Sequence, residues 1–186
     1  NFPITNEEFI AATGQMYTQL RQEIAGSYHF LQEWSTDDGI VVARAGNWFD
    51  GARFVELHKH TWTPDHPISS TIWTWGYSMV STSNRLMTLL AESQESPAKS
   101  QFISEIRTMR ALAYFFLMDT YGNVPIVTVF GEEELPSNSP RNEVFNFIVT
   151  ELEESIEFLN PEVNVATYGR PTKWMAYAIL AKLYLN

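Results

Sequence analysis

The chain has 186 residues, 12 Lys and Arg against 22 Asp and Glu for a net charge of −10, no cysteine, and 26 aromatic residues that make up 14% of it. With 45% hydrophobic residues there is enough apolar material for a sizeable core, which excludes intrinsic disorder, and the length predicts one domain, with two small ones as the alternative. The missing cysteines exclude disulfides, thiolate metal sites and a cysteine nucleophile, and the acidic balance argues against general nucleic-acid binding, which needs clustered Lys and Arg. The acidity is local: residues 132–162 hold nine acids and one base, Arg141, while 13 acids and 11 bases share the rest.

The first residues, Asn1-Phe2-Pro3-Ile4, show no basic stretch followed by an apolar one, so no signal peptide is read there. Thr5 and Glu8 form a capping box, after which Phe9, Ile10, Met16, Tyr17, Leu20 and Ile24 recur at helical spacing; this predicts a helix from about 6 to 25, stopped by Gly26. Between Glu33 and Pro67 neither period persists. Gly39, Gly46, Gly51, Pro64 and Pro67 interrupt a segment rich in Trp and Phe, which predicts a long ordered excursion rather than disorder.

A second helix is predicted over 68–92. The stretch from His66 to Asn84 is the longest without an acid or base, but its Ser, Thr, Gly and Pro exclude a transmembrane span. Pro97 near a helix start and Gly122 at its stop predict a third helix to Tyr121, apolar all round and therefore buried among several neighbours. Arg107 and Arg110 lie inside that surface, so each needs a carboxylate or carbonyl partner. Pro125 keeps Val124–Val129 from being a central strand.

A fourth helix is predicted to begin with Ser139 as N-cap and Pro140 as first residue, and to end at Asn160-Pro161. Val144, Ile148, Leu152 and Leu159 line one side; Glu143, Glu151, Glu154 and Glu157 fall opposite and are expected to face solvent, with Phe147 and Phe158 among them as signs of a second packing contact. The fifth helix starts near Thr172 and is apolar around its whole circumference up to Leu185, so the chain is expected to be the front part of a longer protein. No clean 34-residue repeat is present.

Three stretches, taken in order, are similar to the SusD/RagB family of outer-membrane nutrient-binding lipoproteins. They are Arg107-Thr-Met-Arg110-Ala with its aromatic helix and the turn Tyr121-Gly-Asn-Val-Pro125; Arg141-Asn-Glu-Val144-Phe145 with the acidic helix after it; and Gly169-Arg170-Pro-Thr-Lys173 leading to Ala181-Lys182-Leu-Tyr184-Leu185. The segments Arg44–Gly51 and His60–Pro64 look like the corresponding loop in part of that family. The resemblance implies an all-α fold of tetratricopeptide-like helix pairs with long ordered loops, of which residues 1–186 would be the N-terminal portion. It also implies a lipid-anchored protein on the extracellular face of the outer membrane of Bacteroidetes-type bacteria. Such a protein captures glycans, sometimes peptides, without catalysis or cofactor and passes them to a SusC-like TonB-dependent transporter. The family's lipidated cysteine would lie upstream of Asn1.

The candidate glycan site is Arg44, Asn47, Trp48 and Asp50. Sugars offer apolar C–H faces and a rim of hydroxyls, so an aromatic plane beside amide, carboxylate or guanidinium groups suits them. The competing reading makes Trp48 a buried anchor of its loop. His58, His60 and His66 are read as structural histidines rather than metal ligands, and no catalytic residue is assigned. Glu132-Glu133-Glu134 lacks the ligand order of a calcium loop, and Arg107, Arg110 and Arg170 are expected in internal ion pairs or helix caps. A glycosidase pair among the 22 carboxylates and a purely protein-binding helical scaffold remain as alternatives.

Overall fold

The computed structural model describes residues 3, 5–131 and 134–186. Seven α-helices are found among them: α1 (Asn6–Glu23), α2 (Ser27–Trp34), α3 (Arg53–Lys59), α4 (Pro67–Ala91), α5 (Pro97–Tyr121), α6 (Arg141–Ile156) and α7 (Lys173–Leu185), with a 3-10 turn at Asp50–Ala52. The only strand-like pairings among the described residues are two isolated bridges, Arg44 with Asn47 and Val124 with Ser139. None of the helices is long and apolar enough to cross a membrane. The chain divides into two compact units, one of Asn1–Tyr17 with Gly76–Asn186 and one of Thr18–Trp75.

In the larger unit, α5 is the central element. Ser96 caps it by accepting the Lys99 N–H at 3.1 Å, Pro97 occupies its first turn, and Gly122 at φ 74° ends it while its N–H bonds Met118 O at 2.9 Å. Fifteen of its residues are buried, as an all-round apolar helix requires. Phe9 of α1 stacks on Phe102 at 5.1 Å, and Gly76 of α4 lies so near Leu117 that a Cβ there would meet Cδ2 at 2.6 Å. The capping box opens α1 as expected: Glu8 N–H donates to Thr5 Oγ1 at 3.3 Å and Thr5 N–H to Glu8 Oε2 at 3.0 Å.

The acidic helix departs from expectation at both ends and on one face. Ser139 gives its backbone N–H to Val124 O at 3.1 Å, so extended Pro140 is the N-cap, and the Asn123 side chain accepts from Arg141 N–H at 2.9 Å. The helix stops at Ile156 rather than at Asn160, whose carbonyl instead accepts the Lys173 N–H at the start of α7. Glu151 is not on a solvated face. It is 4% exposed and receives Arg107 at 2.9 Å and Arg110 at 2.6 Å.

Arg110 also donates to Asn84 Oδ1 at 2.7 Å, and Arg107 reaches Glu154 at 2.6 Å. Burial by itself lowers the Arg107 pKa; bonding to Glu154 and Glu151 outweighs it and raises the value above the usual one. Phe147 packs edge-on against Tyr114 at 5.0 Å beneath the Arg110 guanidinium, the second contact expected of it, whereas Phe158 is half exposed. The Tyr114 hydroxyl accepts Val127 N–H at 2.7 Å and donates to Val127 O at 3.1 Å; burial pushes its pKa up to about 12. Arg170 pairs with buried Glu105, which also accepts from the Tyr17 hydroxyl at 3.2 Å. Ala176, Ile179 and Leu183 bury one side of α7, while Trp174, Tyr177 and Tyr184 stay exposed.

The smaller unit holds two helices that the periodicity did not announce. Gly26 does stop α1, but it also precedes α2, whose start is held by Glu23 accepting Ser27 N–H at 3.2 Å. Within the expected excursion, α3 is bounded at both ends by left-handed residues that are not glycine, Ala52 at φ 69° and His60 at φ 54°. His60 and Thr61 close it by donating backbone N–H groups to Leu57 O and Glu56 O at 3.1 and 3.0 Å. Trp75 of α4 is buried, with its indole N–H on Gln19 O at 2.7 Å.

Candidate glycan site

Residues 34–52 of the smaller unit build a groove from short local elements. Arg44 and Asn47 exchange backbone bonds at 3.0 and 2.9 Å across Ala45 and Gly46, whose φ values of 47° and 84° make a two-residue turn with both central residues left-handed. Trp48 follows at φ 63° and, past right-handed Phe49 at φ −69°, Asp50 at φ 41°; each left-handed non-glycine residue costs about 1 to 2 kcal/mol. The turn puts the Trp48 indole on the surface, 63% exposed. That is not the burial a loop anchor would show.

Trp48 and Arg44 line a groove of about 420 Å³ together with Trp34, Ile40, Val41 and Val42. Trp34 comes from the last turn of α2 and is half buried. Its ring stacks on Phe30, one helical turn back, at 4.1 Å and 7°, and meets Phe54 of α3 edge-on at 4.5 Å. The Arg44 side chain enters no ion pair among the described residues. The groove therefore offers aromatic planes, an aliphatic rim and one unpaired fork of donors, a combination suited to an uncharged polyhydroxy ring.

Of the four residues read from the sequence, Arg44 and Trp48 meet in this groove. Asn47 and Asp50 are exposed nearby in the chain but outside its lining. Trp34, Ile40, Val41 and Val42 were missed; the spacing of Phe30 and Trp34, four residues apart, was the available signal.

Of the three histidines read as structural, His66 and His60 make internal contacts. His66 is buried with Nε2 at 3.0 Å from Arg53 O and 3.7 Å from the Glu56 carboxylate, and His60 packs at a tilt on Trp62 at 5.2 Å. Among the described residues no three His, Asp or Glu side chains gather as a metal site. Glu132 and Glu133 of the acidic triplet lie outside the described residues; Glu134 borders a second groove of about 260 Å³ beside Tyr77 and Phe130. Burial, then the neighbouring Tyr114, raises the Tyr77 phenol above its ordinary pKa.

Residues 3–185 match the family model described as SusD-like, starch-binding associating with outer membrane. The chain belongs to the SusD-like family. A SusD-like protein of Bacteroides ovatus is 33% identical over 125 residues, covering 62% of this chain and 22% of its own length. The starch-binding protein SusD of Bacteroides thetaiotaomicron is 28% identical over 142 residues, 75% of this chain and 25% of its own. Among solved structures, a laminarin-binding SusD-like protein superposes with a TM-score of 0.84 at 25% identity over 96% of this chain and 40% of its own. The SusD-like chain thus spans about a quarter of the length of these curated relatives. Its all-helical architecture is the one that the motifs around Arg107, Arg141 and Arg170 implied.

Proposed function

We propose that this protein binds oligosaccharides without turning them over, at the extracellular face of the outer membrane where a lipid anchor holds it, and hands them to a SusC-like TonB-dependent transporter. The observation that carries the reading is the surface indole of Trp48 over an apolar groove lined by Arg44, whose guanidinium enters no ion pair among the described residues. The relatives support it: one is named for binding starch and one for binding laminarin. The buried carboxylates Glu105 and Glu151 are each engaged by arginines, which leaves neither as a free acid or base for glycoside cleavage.

The test is calorimetry of the full-length protein with a panel of neutral oligosaccharides, paired with chromatography of the same mixtures. Heat with unchanged sugar length is expected, and Trp48→Ala is expected to weaken binding about tenfold. Release of new reducing ends overturns the non-catalytic reading; no heat with any glycan overturns glycan binding itself. Co-purification with the transporter, lost when the protein is solubilised without its anchor, tests the delivery step.

A further inference from the structure

The groove contains two tryptophans of different mechanical character. Trp34 is clamped before any ligand arrives: Phe30 covers one part of its ring in a near-parallel stack, Phe54 meets it edge-on, and the Arg53 guanidinium lies 4.5 Å from the Phe54 centroid behind them. Phe54 is itself 2% exposed, so the clamp is rooted in the core of its unit. Trp48 stacks on no other ring among the described residues, stands 63% exposed, and is itself left-handed at φ 63°, two residues after Gly46 and two before Asp50, both also at positive φ.

A binding surface that is already ordered adds affinity without the cost of immobilising a side chain, whereas an exposed indole on a turn must give up rotamer freedom to make the same contact. From this difference, and resting on the glycan-binding reading above, we infer that Trp34 is the principal stacking residue of the site. One pyranose ring lays its C–H face on Trp34, with its hydroxyl rim toward the unpaired Arg44. Ile40 and Val42, 53% and 50% exposed, border that ring, and Trp48 covers it only after it has been seated. Trp34 thus joins the site as a binding residue, and Trp48 becomes the secondary one.

The experiment follows the indole N–H signals of 15N-tryptophan-labelled full-length protein during titration with maltohexaose and, separately, laminarihexaose. At low saturation the Trp34 signal is expected to shift in proportion to the calorimetric occupancy, together with that of Trp48. A second variant avoids disturbing the clamp: Val42→Trp, at a half-exposed rim position, fills the space over Trp34 and is expected to cut affinity well beyond the roughly tenfold of Trp48→Ala, with an unchanged thermal midpoint. Trp48→Ala is expected to cost less than that. Heat of binding with a shifted Trp48 signal but an unmoved Trp34 signal overturns the inference and leaves glycan binding standing. A Val42→Trp protein that binds normally overturns it as well. Absence of heat with every sugar overturns both readings together.

Discussion

Arginine is used in opposite ways in two regions of the molecule. Between α5 and α6, Arg107 and Arg110 share the buried carboxylate of Glu151, with Glu154 and Asn84 completing their bonds. In the 34–52 region, Arg44 keeps its guanidinium in solvent at the edge of an apolar groove, on a backbone held in costly dihedral angles. The first region spends its charge on holding helices together, since a buried charge without a partner is not tolerated. The second leaves its charge and its indole without internal partners among the described residues, which is why the proposed ligand contact is placed there.

The contrast breaks most sharply at Glu151. Glu151→Ala leaves the buried Arg110 guanidinium with Asn84 as its remaining partner and the half-buried Arg107 with Glu154, and a loss of about 3 kcal/mol in urea unfolding is expected; a loss below 1 kcal/mol means that water reaches both arginines. Alkaline pH acts next. The folded chain holds the Tyr114 proton until about pH 12, while an unfolded chain releases it near 10. The Tyr114 contribution to stability is therefore complete below pH 10 and falls by about 1.4 kcal/mol per pH unit between 10 and 12, with half-buried Tyr17 and Tyr77, whose pKa values are also raised, adding in the same direction. Unfolding midpoints measured across that range check it, and Tyr114→Phe should flatten the slope.

Gly76→Ala sharpens the comparison from the packing side. The new Cβ meets Leu117 Cδ2 at 2.6 Å and Cγ at 2.7 Å, and Leu117 is fully buried. Overpacking should outweigh the gain in helix propensity and leave a net loss of about 1 to 2 kcal/mol by thermal denaturation. At the groove, by contrast, Trp48→Ala should change stability by no more than about 0.5 kcal/mol while affinity falls. Smallest of all, Ala52→Gly relieves a φ of 69° and is expected to gain about 0.5 kcal/mol; a clear loss would show that the left-handed turn is held by contacts rather than tolerated.

Those same two regions differ in how far they could be read in advance. The ends of α5 are written in Ser96-Pro97 and Gly122, and its all-round apolar surface announces burial, so Arg107 and Arg110 visibly demand partners. The partner itself was hidden. Its charge assigns Glu151 to solvent, although it follows Val144 by seven residues and Ile148 by three and so shares the buried face of α6 that the two arginines of α5 meet. Around the groove, α2 and α3 are eight and seven residues long, too short for a period to emerge. Left-handed Ala45, Trp48 and Ala52 give no sign of themselves in composition, because their conformations are imposed by the turns they complete. Trp48 and Arg44 were legible as chemistry; the wall they face, Trp34 with Ile40 to Val42, was not.

The placement of the tryptophans also makes the protein its own optical sensor. Trp75 is 4% exposed with its indole N–H bonded to a carbonyl, so its emission is shielded from dissolved iodide, whereas Trp48 stands open to collisional quenching. On the proposed reading, a sugar that covers Trp48 lowers the quenchable share of the emission, to which exposed Trp174 also contributes, while Trp75 stays shielded within the same molecule.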